Sequence, residues 1–262
     1  MLTQETIDQA KTKIDEATSI VIALPSDPDE DVLAAGLGLF LTLKQQEKMV
    51  NIGCSSTPKV NSANLFGLNE LTDNIGNKNL VITLDYPEEQ LEKVDYNATD
   101  EGKKIELHVV PRTGASPPTG EQIHINFAGA KSDLIITLGI GNLEELGKLY
   151  ADEKNFFDST PIVSIGLKPQ PNSFAQANLH SPHSASICEL TAYFLKQVGF
   201  TPGNDPASNL LKLMVKSSDR FASPKTSPES LETAAFLMRQ ITPPPPPPQN
   251  QQVYNPPPAA QQ

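Results

Sequence analysis

The chain has 262 residues, of which 38% are hydrophobic, enough to bury the core of one large domain or two small ones. Its net charge of -11 at pH 7 argues against non-specific binding to duplex DNA or to an anionic membrane surface. Cys54 and Cys188 are too few for a disulfide framework and fit a reducing, cytoplasmic setting. No stretch approaches the roughly 20 apolar residues of a membrane span, so the sequence predicts neither export nor membrane insertion.

An amphipathic helix is predicted over residues 3–17, with Thr3 as its N-cap. The chain is organised around the segment that follows, residues 20–43. Residues 20–24 are apolar and rich in β-branched side chains and predict a buried strand, because the prolines after them bar the helical conformation. In α/β proteins the turn after such a strand is where ligands usually bind. Four acids crowd this turn, and the last of them is the predicted N-cap of the next helix: Asp27, Asp29, Glu30 and Asp31.

Strands and helices alternate along much of the remaining chain. This alternation predicts an α/β fold with a doubly wound, mostly parallel sheet flanked by helices. Residues 167–183 are predicted to be irregular. The further predicted strands are 49–53, 133–139 and 161–166, and the further predicted helices are 142–150, 184–198, 206–218 and 228–240.

Two segments depart from this pattern. Three β-rich pieces separated by turn residues predict a small antiparallel inset over about residues 80–118. From residue 242 the sequence is rich in Pro and Gln, which predicts a disordered tail over residues 242–262 after one α/β domain over residues 1–241. The tail is either solvated or a peptide that docks into an aromatic-lined groove of a protein partner, with Tyr254 as its anchor.

Three stretches carry a resemblance to a known family: ALPSDPDEDVLAAGLGL, NSFAQANLHSPHSASICELTAYFL and LLKLMVKSSDRFASPKTSPESLETAAFLM. In this order they resemble motifs of the DHH phosphoesterase superfamily, the manganese-dependent enzymes that include nanoRNases and phosphoadenosine phosphatases. The resemblance implies the DHH α/β fold. It also implies two metal ions, held by His and Asp, that activate a water molecule for attack on a phosphate.

Most of the metal ligands that the resemblance implies are replaced in this sequence. The two Asp of the first motif match Asp29 and Asp31, but its His falls on Pro25, which has no donor atom. Two carboxylates on one loop would hold at most one magnesium ion weakly, so we expect a vestigial metal site. The other ligand positions fall on Gly139, Gly166, Leu167, Lys168 and Ser217.

The resemblance with these losses predicts a catalytically degenerate domain that binds or regulates. It would have no catalytic residue and no cofactor, and it would lack the C-terminal substrate domain of the family. Its ligand would be a protein partner or a small phosphorylated molecule at the old cleft. Lys168 could supply a positive charge there, with Arg220 and a helix start at Ser184 nearby.

The alternative is an enzyme. In that case Asp29 and Asp31, with Asp219 or His183, would bind manganese or magnesium in a rearranged site. The reaction would be hydrolysis of a small nucleotide or a short oligonucleotide. The sequence leaves the oligomeric state open.

Overall fold

The computed structural model describes residues 2–56, 64–75, 79–100, 102–128, 132–168 and 174–242. The predicted tail with Tyr254 lies outside these residues, apart from Thr242. The described strands are β1 Ser19–Ala23, β2 Met49–Gly53, β3 Leu71–Thr72, β4 Asn79–Leu84, β5 Leu91–Thr99, β6 Lys104–Pro111, β7 Ile123–Ala128, β8 Leu134–Leu138, β9 Ile162–Gly166 and β10 Ala177–His180.

Short-range signals set the ends of several helices. Thr3 accepts a hydrogen bond from the amide of Thr6, as an N-cap does, and Pro228 begins the last helix after Ser227. None of the described helices is long and apolar enough to cross a membrane. The helices are α1 Gln4–Glu16, α2 Glu30–Gln45, α3 Lys148–Asp152, α4 Lys154–Ser159, α5 Ile187–Val198, α6 Asn204–Ser217 and α7 Pro228–Met238.

The main sheet has six parallel strands in the order β10-β9-β8-β1-β2-β3. From β1 the chain winds outward to β3 on one side, and from β8 it winds outward to β10 on the other. This is the doubly wound order in which β1 and β8 flank the switch point, and it confirms the predicted fold class. The crevice at the switch point opens beyond the carboxyl ends of β1 and β8.

Side chains of the buried strands alternate between two apolar layers. Ile20 and Ile22 of β1 belong to a large core with helices α1, α2, α5, α6 and α7. Val21 and Ala23 face the opposite layer, which contains side chains of α3 and α4. The sheet is therefore covered by helices on both faces, which is why its central strands β1, β8 and β9 are almost continuously apolar.

The inset between β3 and β8 is larger than predicted. Its two antiparallel pairs are β4 with β7 and β5 with β6, so the β structure continues to residue 128 instead of ending near 118. Neither pair joins the main sheet. The sequence prediction missed β7 because a turn-rich loop separates it from the three β-rich pieces.

Four other predictions are corrected by the structure. The N-cap of α2 is Asp29, not Asp31. Helix α5 begins at Ile187 after Ser186, not at Ser184. The segment predicted to be irregular contains the edge strand β10. Asn142 does cap a helix, but it is a short 3-10 helix, Leu143–Leu146, which ends at a glycine with positive φ before α3.

Candidate functional site

The acidic turn after β1 is held at the carboxyl edge of the sheet by its neighbours. The amide of Leu24 donates to the carbonyl of Gly53 at 2.9 Å, and the amide of Ser26 donates to the carbonyl of Glu145 at 2.8 Å. The thiol of Cys54 donates to the carbonyl of Pro25 at 3.2 Å. The turn is therefore fixed between the loops that follow β2 and β8, at the switch point.

Asp29 caps the helix that leaves the turn. Its Oδ1 accepts a hydrogen bond from the amide of Val32 at 2.8 Å. The first amides of a helix have no partner within the helix, and a carboxylate beside them satisfies one donor and complements the helix dipole.

Asp31 caps a different helix, far away in the sequence. Its Oδ2 accepts from the amide of Ile187 at 2.6 Å and its Oδ1 accepts from the amide of Cys188 at 3.1 Å. Burial raises the pKa of Asp31, while the two amides act in the opposite direction. Both carboxylate oxygens therefore face the start of α5 and join it to the start of α2.

The thiol of Cys188, next to this carboxylate, is also buried. The Sγ of Cys188 donates to the backbone carbonyl of Asp31 at 3.3 Å, and burial raises the pKa of the Cys188 thiol well above its usual range. A neutral, buried thiol is a poor nucleophile and a poor metal ligand. Cys188 therefore serves as a core residue, as the sequence composition suggested.

The floor of the crevice at Gly139 is closed by apolar side chains. A Cβ atom at this position would lie 2.6 Å from Cγ2 of Val32 and 3.1 Å from Cδ1 of Ile187. Gly139 also has a φ of 71°, a conformation that favours glycine. An aspartate, which the family resemblance expects here, would clash with both neighbours and strain the backbone.

At the end of β9, the matching position is covered by a histidine. The ring of His180 lies over Gly166, with Nε2 3.4 Å from the place that a Cβ would take. The same Nε2 makes a hydrogen bond of 3.2 Å with the hydroxyl of Ser164. Burial lowers the pKa of His180.

Among the residues that the structure describes, no contact brings the predicted ligand-binding residues together. Lys168 and Arg220 are exposed, and Arg220 has a φ of 55° in the turn after α6. Lys216 forms an ion pair with Glu30 at the start of α2. Ser184 lies in the loop before α5, where it and His183 line a separate cavity rather than cap the helix.

The residues at the crevice do not fit a two-metal centre. Among the residues that the structure describes, no three His, Cys, Asp or Glu side chains come together in a group that could hold a metal ion. The carboxylates of Asp29 and Asp31 are directed at helix amides, and the matched positions at Gly139 and Gly166 are packed against other side chains.

Sequence reasoning missed the residues that close the crevice. Val32 and Ile187 look like ordinary core residues of helices, and the contact between Asp31 and Ile187 joins positions 156 residues apart. No local sequence pattern predicts such a contact, because it depends on how α2 and α5 pack against each other. The one available signal was Gly139, a small residue directly after a buried strand.

The sheet order and the acidic turn at its switch point define an open, doubly wound α/β protein. A solved structure with a similar fold is that of an exopolyphosphatase-related protein from Bacteroides fragilis, with a TM-score of 0.62 and 16% sequence identity. The match covers 91% of this chain and 57% of the other, so the chain spans little more than half of that protein. Neither a protein-family model nor a curated protein sequence matches the chain.

Proposed function

We propose that this chain is a catalytically degenerate, DHH-type phosphoesterase-like domain that acts as a binding module. The proposal rests on the hydrogen bonds of the Asp31 carboxylate. It accepts from the amides of Ile187 and Cys188 at 2.6 and 3.1 Å. A carboxylate in this position stabilises a helix start instead of holding a metal ion. The fold shared with an exopolyphosphatase-related protein supports the phosphoesterase-like origin.

The geometry of the crevice favours a protein partner over a phosphorylated ligand. A helix start binds phosphate through free amides, but the first amides of α5 already donate to Asp31. A phosphate placed there would meet a carboxylate instead. Lys168, which is exposed shortly after the end of β9, would supply the positive charge of such a ligand site.

The inset offers a surface suited to a protein. On the pair β5 and β6, Val94, Tyr96 and Ala98 lie opposite Val109, Leu107 and Ile105, so one face of the ribbon is apolar throughout. Tyr96 is 67% exposed and Ile105 is 71% exposed. We call this surface the ribbon face. A two-stranded ribbon with a bare apolar face is only marginally stable by itself, and such patches mark interaction sites.

A second copy of this chain is the partner that the ribbon face fits. The central pair Tyr96–Leu107 has an apolar pair on each side, so the face looks similar from both ends and can pack on itself around a two-fold axis. Two ribbon faces packed together would bury on the order of 1,000 Å² in total, which is the lower end for specific interfaces. The opposite face carries both signs of charge, including the ion pair Lys93–Asp95, which keeps it in water.

The first prediction tests the absence of two-metal catalysis. Purified full-length protein with manganese should hydrolyse neither bis(p-nitrophenyl) phosphate nor a short oligonucleotide, and a manganese titration should release no heat of binding. Asp31→Ala should lower the free energy of unfolding by about 2–4 kcal/mol, because two buried amides lose a charged acceptor. The measurements are spectrophotometric turnover, calorimetry and urea denaturation.

Asp158→Ala is the matched control, because this aspartate is an exposed partner of Lys154. Its loss should change stability by less than about 1 kcal/mol. Manganese-dependent turnover that disappears in Asp31→Ala and survives in Asp158→Ala would show that the chain is a metal-dependent enzyme. It would overturn the proposal of a catalytically degenerate domain.

The second prediction tests the ribbon face. The full chain should show a monomer–dimer equilibrium in sedimentation equilibrium, and Ile105→Lys should raise the dimer dissociation constant at least tenfold, because it places a charge on the apolar ribbon face next to the central pair. Asn97→Lys is the control, since Asn97 is exposed on the opposite face. A wild-type chain that stays monomeric at every concentration, or equal effects of both lysines, would refute self-association.

A further inference from the structure

A cavity of about 510 Å³ lies away from the acidic turn. Its walls are the loop between β10 and α5, helix α5 itself, and the start of α7 with the loop before it. The volume falls within the range of pockets that bind small molecules. Leu190, Tyr193 and Pro182 give it a largely apolar lining.

Two hydroxyl groups at the cavity have no hydrogen-bond partner in the described part of the chain. Thr233 is fully buried, and its hydroxyl oxygen is unpaired. The hydroxyl oxygen of Thr226 is buried and unpaired as well. Both residues line the cavity. An unpaired buried hydroxyl is costly, so its presence in a lined cavity indicates a missing partner.

A buried carboxylate lines the same cavity. Glu189 is only 7% exposed; its Oε1 accepts from the hydroxyl of Ser230 at 2.7 Å and its Oε2 accepts from the amide of Ala185 at 3.0 Å. An ionised carboxylate can accept about four hydrogen bonds, so two sites remain for another donor. The bonds to Ser230 and Ala185 fix the orientation of the group.

We propose that this cavity binds a small amine with an apolar body, such as an arylalkylamine. The ammonium group would donate to Glu189, in a charge-assisted hydrogen bond, and to the free hydroxyl of Thr233. The body of the ligand would lie against Leu190 and Tyr193. Lys225 and Glu229 also line the cavity and carry opposite charges, so neither sign dominates the rim. The proposal is independent of the crevice and of the ribbon face.

The test compares three probes of similar shape with the full-length protein. Benzylamine carries a cationic donor, benzyl alcohol a neutral donor, and toluene no donor. In NMR titrations, benzylamine should bind at least tenfold more tightly than toluene, with benzyl alcohol between them. Saturable shifts should appear at the amides of Leu190 and Thr233. No saturable shift at these amides, or equal affinity for all three probes, would overturn the proposal and leave a cavity that holds water only.

Two variants separate ligand binding from stability. Thr233→Val removes the unpaired hydroxyl at nearly constant volume, and it should raise the melting temperature while weakening benzylamine binding about three- to tenfold. Thr191 on α5 has an equally buried, unpaired hydroxyl but does not line the cavity. Thr191→Val should also raise the melting temperature but change the affinity less than twofold. If Thr233→Val and Thr191→Val weakened benzylamine binding equally, a contact between the ligand and Thr233 would be contradicted.

Discussion

Asp31 illustrates how a carboxylate at a common ligand-binding position of the fold can serve as a structural link. The position at the switch point is one where α/β proteins bind ligands, yet its carboxylate here links the starts of α2 and α5. Gly139 contributes to the same result, because Val32 and Ile187 take the space that a side chain would need. The hydrogen bonds of Asp31 and the packing around Gly139 therefore lead to the same conclusion: the starts of α2 and α5 are packed together at the crevice.

His180 allows a pH prediction at the residue scale. Burial lowers its pKa in the folded protein, so the unfolded chain takes up the proton first as the pH falls below about 6.5. The stability that depends on neutral His180 is therefore complete above this pH and is lost as the pH falls toward the folded pKa. Urea midpoints measured from pH 8 to pH 5 should fall less steeply in His180→Gln than in the wild type.

The control for this prediction is His183, which is exposed in the loop three residues further on. His183→Gln should leave the pH slope of the wild type unchanged. If His180→Gln and the wild type have parallel slopes, the ring of His180 is not held neutral by the fold. The difference between the variants matters more than the slope of either one, because burial also raises the pKa of Asp31 and of Glu153.

At the scale of elements, much of the fold could be predicted from local pattern. The spacing of Ile7, Ala10 and Ile14 marked the buried face of α1, and all three are buried. Apolar runs located β1, β8 and β9, because strands covered on both faces need no polar alternation. Helix starts at Thr3 and Pro228 followed from capping chemistry.

The elements that were missed depend on tertiary contacts. The edge strand β10 has a half-polar sequence, and its parallel pairing with β9 is what makes it a strand. The start of α5 was placed three residues too early because Ser184 and Ser186 are equally good caps in sequence. Ser186 is selected because it accepts from the amide of Glu189, while Asp31 covers the first amides of the helix.

The same limit applies to the candidate sites. The replacement of metal ligands was a sequence inference, but the contact of Asp31 with the start of α5, instead of α2, could not be predicted from one stretch of residues. The cavity between α5 and α7 was also invisible, because its walls come from segments about 40 residues apart. Buried, unpaired hydroxyls are a property of packing, and threonines at these positions look unremarkable in a helix.

At the scale of the whole molecule, the end of the described chain contacts the domain. The amide of Thr242 donates to Oδ1 of Asn204 at 3.0 Å, and Ile241 packs against the main core. The segment after Thr242 is rich in proline and poor in residues that could form a core. The domain boundary near residue 241 stays a prediction from this composition.

Two truncations test this boundary. Removal of residues 243–262 should change the free energy of unfolding by less than about 0.5 kcal/mol, because a segment of this composition is expected to bury no core. Removal of residues 240–262 also strips Ile241 from the core and should cost about 1–2 kcal/mol, which for a domain of this size lowers the melting temperature by roughly 2–8 °C. Calorimetry on both forms gives the answer. If removal of residues 243–262 lowered the free energy of unfolding as much as removal of residues 240–262, the proline-rich segment would pack on the domain and stabilise it.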